Sequence, residues 1–281
     1  MSLEPGVLAQ LVSDSCGLPF EGRRLTAAGG ANTLQIHPSG LPVQNTFAIQ
    51  TAVGWRSVEV TFVPGSYAGD FVRLMGQAAP EFRGCCAAVL AKCIGDGANV
   101  NLRINGQSVK ADDSSGWDSE WTRLELSVRR GQLDLGNGIE DHGKIAAWTQ
   151  QVTAAVVALL PLEQEEPLTE YLHGGFSEGA KAQIEVSHYE RDRRNRAAAL
   201  AIHGYACLAC YSDLGDQYGA AAVGLIEVHH ITPVSKLGEG YRINPATDLV
   251  PLCPNCHSVA HRRDPPFSVE ELRAMLVPRR R

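Results

Sequence analysis

The chain of 281 residues lacks any apolar run long enough to cross a bilayer. Its longest, VTAAVVALL at 152–160, falls well short of the ~20 residues a spanning helix needs. The opening stretch MSLEPGVLAQLVSDSCG lacks the basic flank and apolar segment of a secretory signal. No membrane partner is therefore expected, and a cytoplasmic location is. An excess of positive charge is missing as well: 25 Lys and Arg against 31 Asp and Glu give a net charge of −6, which argues against a chain that coats nucleic acid along its length. No internal repeat or low-complexity tract is found. What is there, 44% apolar and 20% charged residues, suits a globular protein with room for two domains.

The charge is unevenly spread. Residues 1–180 carry 12 basic and 20 acidic side chains, a net of −8, whereas residues 181–281 carry 13 and 11, a net of +2. Phosphate contacts are thus expected in the second half. The break falls in PLEQEEPLTEYLHGGFSEGAK at 161–181, where prolines, acids and a Gly-Gly step interrupt all apolar periodicity. We expect an N-terminal domain over 1–162, a linker over 163–186 and a second domain over 187–281.

In the first half, SVEVTF, NVNLRING and TRLELSV alternate apolar and polar residues as half-buried strands do. The Asn105-Gly106 step is a hairpin turn signal. PEFRGCCAAVLAKCIG reads as a helix with Pro80 in its first turn. In GKIAAWTQQVTAAVVALLP, Ile145, Trp148, Val152, Val156 and Leu159 recur at helical spacing. An antiparallel sheet with helices on one face is expected, an α+β class. In the second half the order is a charged helix ending at Gly204, a Cys-bearing turn, a strand over GLIEVHHITP, a polar loop, a strand over DLVPLC and a helix over PNCHSVAHRRD.

The eight cysteines divide in two. Cys16, Cys85, Cys86 and Cys93 show no ligand spacing and are expected to pack in the core. Cys207 with Cys210, and Cys253 with Cys256, form two C-x-x-C pairs, the arrangement of a closed tetrahedral site for structural Zn²⁺. Such a clamp would fix His257 just beyond its second pair and tie it to the strand bearing His229 and His230. Two adjacent histidines have little use in a core strand, because a buried imidazole without a partner costs desolvation energy. Among the remaining polar groups, His261 lies on the helical face of His257 and is placed to touch a phosphate or an ion, while Arg262 and Arg263 are placed to contact a DNA backbone. The arginine-rich run at 191–196 is a candidate phosphate grip or a solvated helix face. Trp55, Trp117 and Trp121 are candidates for stacking on an extruded base or for ordinary packing.

The run EVHHITPVSKLGEGYRINPATDLVPLCPNCHSVAHRR, together with both Cys pairs, resembles the HNH nuclease family and within it the McrA-type modification-dependent restriction endonucleases. The resemblance implies a ββα-metal fold over roughly residues 190–275 and hydrolysis of DNA phosphodiester bonds to 5′-phosphate and 3′-hydroxyl ends. By motif position it implies His230 as general base, and His229 and His257 as holders of one divalent ion, Mg²⁺ or Mn²⁺. Asp248 stands where most members have the middle Asn. Its carboxylate can orient the strand or loop around His230 but cannot donate as an amide does, and Asn244 and Asn255 are alternatives for that role.

The leading expectation is an HNH endonuclease acting on double-stranded DNA, with modified DNA as a candidate substrate selected by the N-terminal domain. The acidity of residues 1–160 keeps protein contact or homodimer formation as a rival role for that domain. A non-catalytic zinc DNA-binding protein is a third reading.

Overall fold

The computed structural model of the chain describes residues 3–26, 32–136, 139–162, 193–232 and 243–276. The expected linker over 163–186 lies outside the described residues. The order begins with α1 (Pro5–Cys16), β1 (Phe20–Thr26), β2 (Asn32–Pro38), β3 (Phe47–Gly54) and β4 (Ser57–Pro64). It continues with α2 (Gly69–Gly76), α3 (Pro80–Gly95), β5 (Asn99–Ile104), β6 (Gln107–Ser108), β7 (Leu124–Arg130) and α4 (Ile139–Ala158). Then come α5 (Arg193–His203), α6 (Leu214–Tyr218), β8 (Glu227–His230), β9 (Leu249–Leu252), α7 (Pro254–Ala260) and α8 (Val269–Met275).

The seven strands β1 to β7 form one antiparallel sheet in the order β1-β2-β3-β4-β7-β5-β6. Period-two patterning decides which face is covered. Val58, Val60 and Phe62 of β4 are buried, and Leu124, Leu126 and Val128 of β7 lie on the same side, while Glu59 between them is exposed. Helices α1, α3 and α4 pack on that side, and α5 packs on all three. Each fully buried aliphatic side chain here contributes about 1.5–3 kcal/mol relative to exposure.

One buried polar pair interrupts this core. Thr149 of α4 donates its hydroxyl to the Ile145 carbonyl at 2.9 Å, so the Thr51 hydroxyl of β3 is the donor in the 2.9 Å bond between the two threonines. Both residues are fully buried, and both hydroxyl groups are satisfied.

The three expected strands, the helix over 80–95 and the helix near 143–161 are present, and the Asn105-Gly106 turn has both residues at positive φ, 52° and 80°. Asn105 does more than turn the chain. Its amide donates to the Glu120 carbonyl at 2.7 Å and its oxygen accepts from the Thr122 amide at 2.7 Å, binding the hairpin to the segment before β7. Helix α1 and strands β1 to β3 go beyond the sequence expectations. The pattern of β1 is obscured because Gly22 and Arg24 occupy inward positions. Gly22 is required there: a Cβ would lie 2.1 Å from the Pro5 carbonyl oxygen at the start of α1.

Cys16, Cys85, Cys86 and Cys93 are buried, as expected of core residues. Trp117 and Trp121 are buried too, with their indole N–H groups donating to the carbonyls of Lys110 and Asp118. Trp55, on the turn between β3 and β4, is 87% exposed.

Helix α5 belongs to two cores. Ala197 and Ala198 are buried in the core of the large sheet, whereas Ala199 and Leu200 are buried with β8, β9 and the cysteines. The arginine-rich run is used in the same junction. Arg194 lies with its guanidinium 3.9 Å from the Phe82 ring centroid and donates to the Leu162 carbonyl, and Arg196 donates to the Ile226 carbonyl at 2.8 Å. Among the described residues no helix is long and apolar enough to cross a membrane.

Candidate active site

The C-terminal unit is built on a two-stranded antiparallel ladder, β8 with β9, followed directly by α7. So short a ladder buries little, and the cysteines supply what the core lacks. Cys207 and Cys210 sit on a turn whose amide groups are held by the Cys207–Ser212 and Tyr211–Cys207 bonds, with Tyr211 in the left-handed region at φ 59°. Leu208 donates to the Pro251 carbonyl of β9 at 2.9 Å, which brings this turn against the second pair. Cys253 ends β9 at the N-cap of α7, and Cys256 lies within the helix.

All four sulfurs lie within 4.8 Å of one another, and Cys210 Sγ is 3.7 Å from Cys253 Sγ. Two thiolates on one tetrahedral Zn²⁺ with Zn–S bonds of about 2.3 Å would stand about 3.8 Å apart. The four cysteines are free thiols, so the cluster is not a disulfide pair. Burial pushes the Cys253 and Cys256 thiols up, and the neighbouring sulfurs add to the shift at Cys256. At Cys210 burial works in the same direction, yet hydrogen bonds with Ser212, Cys207 and Cys253 outweigh it and bring the thiol down to about 7. The four-thiol donor set and the mutual closeness of its sulfurs fit a zinc site.

The histidines gather on the other side of α7. His229 of β8 is buried, and its ring centroid stands 5.2 Å from that of His257 and 4.9 Å from that of His261. His257 and His261 are four residues apart, hence on one helical face, with Nε2 atoms 3.2 Å apart. One nitrogen from each of the three rings lies within 4.8 Å of the others. On a tetrahedral ion with Zn–N bonds of about 2.1 Å, two nitrogens are separated by about 3.4 Å, so this set also fits a cation. The Nδ1 of His257 is in contact with Glu227 Oε2. A carboxylate there favours the proton on Nδ1 and leaves the Nε2 lone pair facing the cluster.

The electrostatics disfavour a proton on His229 and His261. Burial, then the neighbouring His257, His261 and His230 rings, push His229 down to about 3. Burial also lowers His261, assisted by His257 and opposed by Glu227. A neutral imidazole is the form that ligates metal.

His230 ends β8 opposite Leu249, one register step from the His229–Val250 pair. Adjacent strand residues face opposite ways, so His230 does not join the three-histidine cluster. It is half-buried; burial lowers its pKa, with Asp248 raising it and His257 lowering it further. A neutral ring beside a carboxylate is suited to accepting a proton.

Asp248 lies just before β9. Its carboxylate accepts from the Asn244 amide at 2.7 Å and from the Thr247 hydroxyl at 2.9 Å, and its carbonyl accepts from the Ile231 amide at 2.9 Å. In both side-chain bonds the carboxylate accepts, the role open to an aspartate where an amide would also donate.

Arg262 is exposed at the end of α7. Arg263 is engaged within the domain: it pairs with Glu271 at 2.8 Å, donates to the Pro265 carbonyl at 3.1 Å and stands 4.1 Å from the Phe267 ring centroid. Glu227 was given no role in the sequence reading. Its signal was available, since a residue two before His229 on a strand shares its face.

In comparison with known proteins, residues 207–263 fit the family model of the HNH endonucleases. No curated protein and no solved structure matches the chain.

Proposed function

We propose that the chain, which carries an HNH endonuclease domain, hydrolyses phosphodiester bonds of double-stranded DNA with one divalent ion, and that its N-terminal domain selects the target. The observation that carries this reading is the convergence of His229, His257 and His261 on one point, beside a neutral His230 on the same strand. In this assignment His261 joins His229 and His257 as an ion ligand, and Glu227 orients His257. Three imidazoles favour Mn²⁺ or a later transition metal over Mg²⁺. When bound, the ion supplies charge neutralisation at the scissile phosphate and the departing 3′ oxygen. His230 takes the proton from the attacking water, and Asp248 stabilises the imidazolium that results. The Cys207, Cys210, Cys253 and Cys256 site holds structural Zn²⁺ and leaves no open position for chemistry. Arg262, exposed just after α7, is placed for a backbone contact.

We assign the N-terminal domain to residues 1–162 and the nuclease domain to residues 187–281, with cleavage in the manner of a modification-dependent restriction enzyme. The acid excess of residues 1–180 favours a second role for the first domain, docking to a protein or to a second copy. The test is plasmid cleavage on unmodified, methylated, hydroxymethylated and phosphorothioated DNA, in Mg²⁺ and in Mn²⁺, alongside gel filtration. Preferential cutting of one modified plasmid supports target selection. Equal cutting of all four, from a dimeric protein, favours the docking role.

A further inference from the structure

We propose that His203 is a positioning residue for the nuclease reaction, holding the turn that carries Asp248 in place against His230 and tying that turn to the N-terminal domain. This rests on the nuclease reading above. His203 is the last residue of α5, and its Nε2 lies 3.1 Å from the Pro245 carbonyl oxygen. A carbonyl only accepts, so the bond requires the proton on Nε2.

Pro245 is buried in the middle of a closed turn. The Asn244 side chain accepts from the Ala246 amide at 3.0 Å, the Asn244 carbonyl accepts from the Thr247 and Asp248 amides at 3.1 and 2.8 Å, and the Asp248 carboxylate accepts from the Asn244 amide. The turn thus moves as one body. Its bonds to other elements include one from the Ile231 amide to the Asp248 carbonyl, next to His230, and one from His203.

The far side of α5 is anchored elsewhere. Ala197 and Ala198 are buried in the core of the large sheet, and Ala201 and Ile202 pack against it. Cys85 of α3 contacts Asn195, and Gln151 of α4 donates to the Ala201 carbonyl. A displacement of α5 by anything the N-terminal domain binds would be passed through His203 to Pro245, and from there to Asp248, whose carbonyl holds the Ile231 amide next to His230. Small displacements matter here, because a misplacement of about 1 Å can cost ~10²-fold in rate.

The experiment uses the full zinc-loaded chain. His203→Phe keeps the ring and removes the donor; His203→Gln keeps a donor at similar reach. We expect the Phe variant to lower kcat about 10- to 100-fold with KM and zinc content unchanged, and the Gln variant to recover most of the loss. Amide exchange should quicken at Ile231, Asn244 and Asp248 in the Phe variant alone. Parental kcat in His203→Phe overturns the proposal, whether or not exchange quickens. So does a fall in kcat that His203→Gln shares fully. If the parent cuts no DNA in any divalent metal, the nuclease reading fails; the exchange comparison then still decides whether His203 holds the turn, and parental exchange in the Phe variant overturns that as well.

Discussion

His229 is buried against His257 and His261, while the one carboxylate contact described at these rings, Glu227, is with His257, and this sets how the protein responds to acid. A free histidine titrates near 6.5, whereas His229 in the folded chain is held down to about 3. Between these values the unfolded chain binds a proton that the folded chain does not, so stability rises with pH across the window and falls as pH drops below about 6.5. Proton competition for metal-binding imidazoles acts in the same direction. Calorimetry should therefore find a lower Tm at pH 5 than at pH 7, and the reverse order would contradict the buried neutral cluster. Removing the base is a separate test. His230→Ala should slow plasmid cleavage by about 10²–10⁴-fold while zinc content and Tm stay close to the parent's. Glu227→Gln should weaken divalent-ion binding at the three histidines about 10- to 100-fold, measured by titration calorimetry with Mn²⁺. Unchanged affinity would show that Glu227 does not orient His257.

Among the elements, β8, β9 and α7 depend on the cysteine site most directly. The β8–β9 ladder pairs four residues of each strand, and α7 spans seven residues. Neither would persist in isolation. A zinc site contributes about 10–16 kcal/mol of apparent binding energy to such a unit. Cys256→Ser should therefore abolish zinc retention and the exchange protection of β8 and β9, while protection in β3 and β4 remains. The next helix is secured differently. Ser268 and Glu271 form a reciprocal capping box at the start of α8, and Arg263 pairs with that same glutamate. In the sequence these two residues stand as S-x-x-E. Helices α3 and α4 were legible there through proline placement and helical periodicity. Strand β3 was legible in principle, since Phe47, Ile49, Thr51 and Val53 alternate. Strand β1 was not, because its inward positions include Gly22 and Arg24, whose placement depends on α1 lying across them.

The molecule as a whole is held at α5. Four consecutive residues divide between the two cores, Ala197 and Ala198 with the large sheet, Ala199 and Leu200 with the cysteine-bearing unit. The small size of the three alanines lets α5 approach its neighbours α4, α3 and β9 closely. Ala198 is fully buried, so Ala198→Glu would place a carboxylate in an apolar layer at a cost of several kcal/mol. Both units should then melt earlier, as followed by amide exchange in β4 and in β9. Loss of stability confined to β4 would show that α5 does not couple them. Two arginines of α5 serve this junction, Arg194 against Phe82 and Arg196 on the Ile226 carbonyl.

Spacing along the chain was enough to assign the four cysteines as one cluster, to mark His229, His230 and His257 as chemical residues, and to place the alternating strands and the periodic helices. These features follow from local rules: two C-x-x-C turns, period two, period 3.6. Folding decided what local rules leave open. The packing of α7 on β8 brings the rings of His257 and His261 to that of His229. The strand face shared with His229 brings Glu227 to His257, and the packing of α5 on both cores brings His203 to Pro245. Each of these depends on elements distant in sequence meeting at a set distance and angle, and only the packed chain specifies that.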